Sequence, residues 1–170
     1  MAYPRRLSAA YQWRLPIYGY GGGWHEVDGE EEEMTIEFTV MMKPAGKERP
    51  RSGNGHMYTP TRTKEAEERI AWAYRRAARG FRFPPGTPLV VDIDAFYAIP
   101  KSATRAKREK MTARQIAPTV KPDRDNVEKL VCDALNGVAY DDDKCVVDGR
   151  TRKLYADTPR IEIRVKEWIP

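Results

Sequence analysis

A single α+β domain, with two main helices packed on a mixed β-sheet, is the fold that residues 34–170 predict. Three observations carry this. Period-two alternation of apolar residues recurs in short separate stretches, and two other stretches have helical periodicity. The two kinds interleave along the chain in the order β, α, β, α, α, β, β, β. The third is size: 170 residues with 41% hydrophobic and 32% charged side chains suit one domain with an ordinary core, and exclude wholesale disorder.

Residues 1–33 read as an N-terminal extension, expected to be poorly ordered. GYGGGW is flexible and DGEEEE is a like-charge run that resists packing. Tyr11, Trp13, Tyr18, Tyr20 and Trp24 nevertheless offer aromatic groups for docking on the body or on a partner. In TIEFTVMM, residues 35–42, Ile36, Phe38, Val40 and Met42 alternate with polar positions, which predicts a strand. Residues 43–60 carry Gly, Pro and Asn among four Lys/Arg and predict a basic loop or open hairpin. A helix follows over 63–79, with Thr61 or Thr63 as N-cap, Gly80 as stop, and Ile70, Ala73, Tyr74 and Ala77 as apolar stripe. After a proline-rich connector, LVVDIDAFYAI at 89–99 is a long strand. Its Asp92 and Asp94 read as solvent-facing positions.

Residues 101–118 predict a basic helical segment with little apolar periodicity, able to bury little and mobile without a ligand. The clearest helix is 126–136, where Val127, Leu130, Val131, Ala134 and Leu135 keep the i, i+3, i+4, i+7, i+8 spacing. Asp125 is its expected N-cap and Asn136-Gly137 its stop. Strands are expected at 138–140, 145–155 and 160–165, the last two joined by a turn at 156–159.

The net charge of +5 hides a contrast. Residues 1–33 hold three Lys/Arg against six Asp/Glu, whereas residues 43–82 hold eleven against four and residues 101–121 hold seven against Glu109 alone. Basic runs of this kind neutralise phosphates, and two of them ahead of a carboxylate cluster point to nucleic acid. No apolar run reaches the roughly 20 residues of a membrane span, and no signal-peptide core is present, so a cytoplasmic setting is expected. Cys132 and Cys145 form no CxxC pair, which argues against a disulfide framework or zinc. His25 and His56 are isolated.

The acids that follow the second basic run repel one another unless something binds them. Asp123 and Asp125 are two residues apart where an extended segment enters a helix, so both carboxylates can face one volume. Asp125, Lys129 and Asp133 then share a helix face opposite the apolar stripe, and Asp141-Asp142-Asp143 lies in a following turn. Oxygen-only ligands suit a hard cation such as Mg²⁺, which can activate water and stabilise charge at phosphorus. Lys129 can hold a phosphate. Each piece also has an ordinary role: a cap, a hydrophilic turn, an i,i+4 ion pair.

The run KPDRDNVEKLVCDALNGVAYDDDKCVV, followed by Lys153, resembles the signature of the RusA-like endodeoxyribonucleases, the Holliday junction resolvases of phage and bacteria. GKERPR at 46–51 and YTP at 58–60 resemble the same family upstream, so the likeness covers about residues 34–166. The resemblance implies metal-binding aspartates at Asp123, Asp125 and Asp143, with Asp142 as the neighbour that a one-residue shift would select, and a functional lysine at Lys129. It also implies Mg²⁺ or Mn²⁺, a homodimer, and paired symmetric nicks across a four-way junction in DNA recombination and repair. Candidate DNA contacts are Lys47, Arg49 and Arg51, then Lys101, Arg105, Lys107, Arg108, Lys110 and Lys121, then Lys153. A nuclease for other branched DNA, such as forks and flaps, and a non-catalytic basic DNA-binding protein are the alternatives.

Overall fold

The computed structural model describes residues 34–49, 51–53, 56–58 and 60–169. The expected extension, 1–33, lies outside them. Strand β1 (Thr35–Val40) buries Ile36, Phe38 and Val40 and turns Glu37 and Thr39 outward, as the alternation predicts. The basic segment after it contains a short antiparallel hairpin, β2 (Arg51–Gly53) with β3 (His56–Tyr58). Helix α1 (Thr61–Ala78) begins two residues earlier than the periodicity suggests, with Pro60 in the N-cap position. Its buried stripe is Thr63, Ala66, Ile70, Ala71, Tyr74 and Ala78. Ala73 and Ala77 are only half-buried, because α1 packs on β1 and on a second helix, and those two surfaces together choose a stripe rotated from the predicted one.

Strand β4 (Leu89–Ala98) is the axis of the sheet. Beyond it, α2 (Arg105–Thr112) occupies eight residues of the basic segment, capped by the Thr104 hydroxyl. Met111 is its one buried side chain, and the helix rests against β6. Helix α3 (Arg124–Leu135) buries Val127, Leu130, Val131, Ala134 and Leu135 against α1 and the sheet, the five positions its spacing predicts.

The 138–140 strand does not form. Gly137 N–H bonds to the Tyr140 carbonyl at 2.7 Å, leaving a turn that buries Ala139 and Tyr140. The predicted 145–155 strand is two: β5 (Val146–Asp148) and β6 (Thr151–Ala156), both parallel to β4. They are separated at Gly149, where φ is 153° and an added Cβ would lie 2.1 Å from the Val91 carbonyl oxygen. A side chain there would collide with the neighbouring strand, so the break is built around glycine. A 3₁₀ turn, Asp143–Cys145, precedes β5.

Strand β7 (Arg160–Glu167) follows β6 through a turn at 157–159, but the two do not pair. β4 lies between them, parallel to β6 and antiparallel to β7, and β7 then pairs with β1. The result is a mixed five-stranded sheet in a single α+β unit over 35–170, with three helices. Apolar side chains from one face, among them Phe38, Leu89, Ile93, Ile161, Ile163 and Val165, form the core with α1 and α3. The alternate positions pair charges across strands: Arg164 with Glu37 at 2.6 Å, and Arg152 Nε with Asp94 at 2.6 Å. Asp94 thus has a basic partner that its local sequence does not reveal.

Candidate active site

Helix α3 starts at Arg124, which makes Asp123 and not Asp125 the N-cap residue. Asp123 makes no side-chain capping hydrogen bond, and its exposed carboxylate is left free of that duty. Asp125 sits in the first turn, where its negative charge suits the helix dipole. Its one side-chain partner among the described residues is Lys129, 3.4 Å away with both side chains more than half exposed. Such a pair is worth a few tenths of a kcal/mol, so a cation or a phosphate can displace it easily.

The three consecutive aspartates have three different fates. Asp141 is ion-paired with Arg82. Asp142 caps the 3₁₀ turn by accepting a hydrogen bond from Lys144 N–H at 3.0 Å. The side chain of Asp143, the first residue of that turn, makes no hydrogen bond or ion pair among the described residues, and its backbone carbonyl accepts from Val146 N–H. Its charge is felt at Cys132 and Tyr140, whereas that of Asp123 is felt at Tyr97. Cys132 lies seven residues beyond Asp125, about 10 Å along the helix axis. Accordingly, no group of three His, Cys, Asp or Glu side chains able to hold a metal ion is gathered among the described residues. The donor chemistry still fits a hard cation, since Mg²⁺ takes one or two carboxylates and completes its shell with water and substrate phosphate. Asp123 and Asp125 suit that mode, with Asp143 apart from them in the 3₁₀ turn, near enough to Cys132 for its charge to be felt there.

The backbone before Asp123 is held from the sheet. Lys153, on β6, donates its Nζ hydrogens to the carbonyls of Val120 and Pro122, the latter at 2.9 Å. The same ammonium lies 5.2 Å from the Tyr97 ring centroid, and the Tyr97 hydroxyl donates to the Pro122 carbonyl at 3.3 Å. Burial, aided by the Asp123 charge, pushes the Tyr97 phenol up to about 12, so it remains a hydrogen-bond donor. Lys121-Pro122 is a cis peptide. From the other side, Lys47 N–H bonds to the Asn126 carbonyl at 2.8 Å where Gly46 crosses α3. Glu128 ties α3 to β6 by accepting from Thr151 Oγ1 at 3.1 Å. Burial pushes the Cys132 thiol up to about 11, which leaves no thiolate for nucleophilic chemistry near neutral pH.

The basic residues divide. Lys47 is a strut, with Nζ 2.6 Å from Glu67 of α1 and 2.8 Å from Asp133 of α3. Burial alone would lower its pKa, but the hydrogen bonds and charges of those two acids outweigh it and leave it raised. Arg105 pairs with Glu109 at 3.0 Å and Arg108 with Asp157 at 2.9 Å. Lys101, Lys107, Lys110 and Lys121 are exposed, as is Arg49, and Arg51 opens β2. Sequence reasoning missed the Lys153–Tyr97 brace, the Gly46 crossing and the Arg82–Asp141 pair, because each joins residues between 25 and 80 positions apart.

A family model described as Endodeoxyribonuclease RusA matches residues 41–166. The chain belongs to the RusA endodeoxyribonuclease family. The match takes in everything from the end of β1 into β7, including α3 and the 3₁₀ turn. The chain is also similar to the Bacillus subtilis (strain 168) "Uncharacterized protein YqaN", 34% identical over 142 residues that make up 78% of this chain and 96% of that one. Among the described residues of this RusA-family protein, no helix is long and apolar enough to cross a membrane.

Proposed function

We propose that this RusA-family protein is a Mg²⁺-dependent endodeoxyribonuclease that resolves four-way DNA junctions by paired nicks. The observation that carries the reading is a set of three exposed carboxylates, Asp123, Asp125 and Asp143, none of them tied up in a cap or a strong ion pair. Asp141 and Asp142 are both committed locally, which favours Asp143 as the third metal-binding residue. Carboxylates that only repel phosphate would be a handicap beside so many Lys and Arg. A Mg²⁺ held there supplies an activated water and charge stabilisation at phosphorus.

The chain's own residues then have distinct tasks. Lys129 gives up its loose hold on Asp125 to take a phosphate oxygen. Lys153 and Tyr97 fix the carbonyls that lead into Asp123. Lys101, Lys107, Lys110 and Lys121, with Arg49, bring in the DNA backbone, and Arg105 and Arg108 reach it by exchanging surface partners. A homodimer suits paired cuts on a symmetric junction, and recombination and repair in the cytoplasm of a bacterium or phage host is the setting. Residues 1–33 form an appendage to this 34–170 nuclease domain.

The test is cleavage of a labelled synthetic four-way junction by the full chain with Mg²⁺, with EDTA, and by Asp125→Asn, against linear duplex. The expected result is symmetric nicks that need both metal and Asp125, with junction binding by the variant preserved or improved. Retained cutting by Asp125→Asn would overturn the metal assignment. Tight binding without cutting would leave a DNA-binding protein, and preference for forks or flaps would move the substrate within branched DNA.

A further inference from the structure

Helix α1 buries the face that carries Ile70 and Tyr74. On its other side, Arg62, Arg69, Trp72 and Arg76 recur at intervals of three, four and seven residues and fall within about 80° of arc, interrupted by Glu65 alone, and Arg79 follows at the left-handed C-cap. From Arg69 to the C-cap Arg79, the helix and its cap hold four arginines and no acid. Trp72 is 60% exposed, and the Arg76 guanidinium lies 5.4 Å from its ring centroid. Arg69, Arg75 and Arg79 form no ion pair among the described residues.

Cations in the last turn complement the helix dipole, which accounts for Arg75 and Arg76. That leaves Arg69, near the middle of the helix, and above all the indole. A solubilising face has no use for a large aromatic surface held in water. Arg76 keeps the ring oriented by cation–π contact at no cost in exposed charge.

We propose that Trp72 is a stacking site for an unpaired DNA base, with Arg69, Arg76 and Arg79 binding the flanking phosphates. Bases inside a duplex hide their π-faces, so an exposed indole gains only from a nucleotide out of the stack, as at a branch point or in a single strand. Arginine supplies the forked, charge-assisted hydrogen bonds that phosphate accepts. The inference takes its ligand class, DNA, from the proposed function and adds a contact outside the carboxylate site.

The test is binding of the full chain, in EDTA so that nothing is cut, to a labelled oligothymidylate and to a fully paired duplex. Trp72→Ala is expected to weaken single-strand binding about tenfold, the scale of one lost base–aromatic stack, with duplex binding within about twofold. Trp72→Phe should recover most of the loss. Arg69→Gln with Arg76→Gln should weaken both ligands and flatten the salt dependence. Circular dichroism checks the fold of each variant. Unchanged single-strand binding by Trp72→Ala, or equal loss on both ligands, would overturn the proposal. Binding is read without metal, so failure here leaves the cleavage test untouched, and failure of cleavage leaves this one standing.

Discussion

Replacing Gly46 with alanine adds one methyl group at the place where the basic loop crosses the start of α3. Its Cβ would lie 2.7 Å from Pro122 Cβ and 3.0 Å from Asn126 Cβ. Carbon atoms pack best at about 3.5–4.0 Å, so the two contacts are short by about 0.8 and 0.5 Å. Both neighbours are Cβ atoms fixed to the backbone and cannot rotate away, and the Lys47–Asn126 hydrogen bond at 2.8 Å pins the loop to the helix. Either the loop lifts or α3 retreats, at a cost of about 1–3 kcal/mol. For a protein of this size, that lowers the melting temperature by roughly 3–9 °C. Asp123 and Asp125 lie between the two strained neighbours, Pro122 and Asn126, and a shift of about 1 Å at a catalytic group costs on the order of a hundredfold in rate. Thermal unfolding by circular dichroism and junction cleavage, with exposed Lys43→Ala as control, measure both effects. A Gly46→Ala protein that melts within about 1 °C of wild type and cuts at the same rate would show that this crossing does not set the start of α3.

Three further outcomes are expected. Lys153→Met removes the ammonium that binds the Val120 and Pro122 carbonyls but keeps the stem, so cleavage should fall roughly tenfold or more with junction binding within about threefold; a matching loss of binding with a shallower salt slope would make Lys153 a DNA contact instead. Asp143→Asn should abolish cleavage, whereas Asp142→Asn, which keeps a capping oxygen, should leave most of it; the reverse order, read on the same junction, would move the third carboxylate to Asp142. Finally, Cys132 at about 11 and Tyr97 at about 12 lie above their ordinary 9.0 and 10.0, and burial raises Tyr74 and Tyr140 too. The unfolded chain therefore loses these protons first, so their stabilisation is complete below about pH 9 and is lost as pH climbs toward 12. Denaturant midpoints should fall over that window, with tyrosinate absorbance rising alongside; a flat profile would contradict the burial of these phenols.

What could be read in the sequence was what short-range periodicity and composition determine. The α3 core positions follow from their spacing alone, and the inward residues of β1 from its alternation, although the strand ends at Val40 and not at Met42. The long K-P-D-x-D-N-x-x-K run could be read as one unit because all its residues lie on one turn and one helix. Legibility failed where tertiary contacts decide between local options. Asp125 is a good N-cap by residue type, yet the helix begins one residue before it. Three adjacent aspartates look alike until Arg82, 59 positions away, engages one and the backbone of Lys144 another. Lys47 and Lys153 look like free cations in a basic chain, but the acids of α1 and α3 hold the first and the carbonyls before Asp123 hold the second. The break at Gly149 depends on Val91, a neighbour only in the folded sheet.

The position of β4 between β6 and β7 dictates the order in which the molecule can be assembled during synthesis. Every strand that pairs with β4 or β1 comes from residues 146–167. When a ribosome has released everything up to α3, the chain holds its helices and its ten-residue central strand, but no ladder has formed in the main sheet. Both edges of β4 stand open, with Leu89, Val91 and Ile93 uncovered, and an open apolar edge is a template for pairing with another chain. The sheet closes only after the last strands emerge, through contacts between residues far apart in sequence, which is the slow kind of folding step. The two edges of β4 are therefore covered only when β5, β6 and β7, the last strands of the chain, are in place.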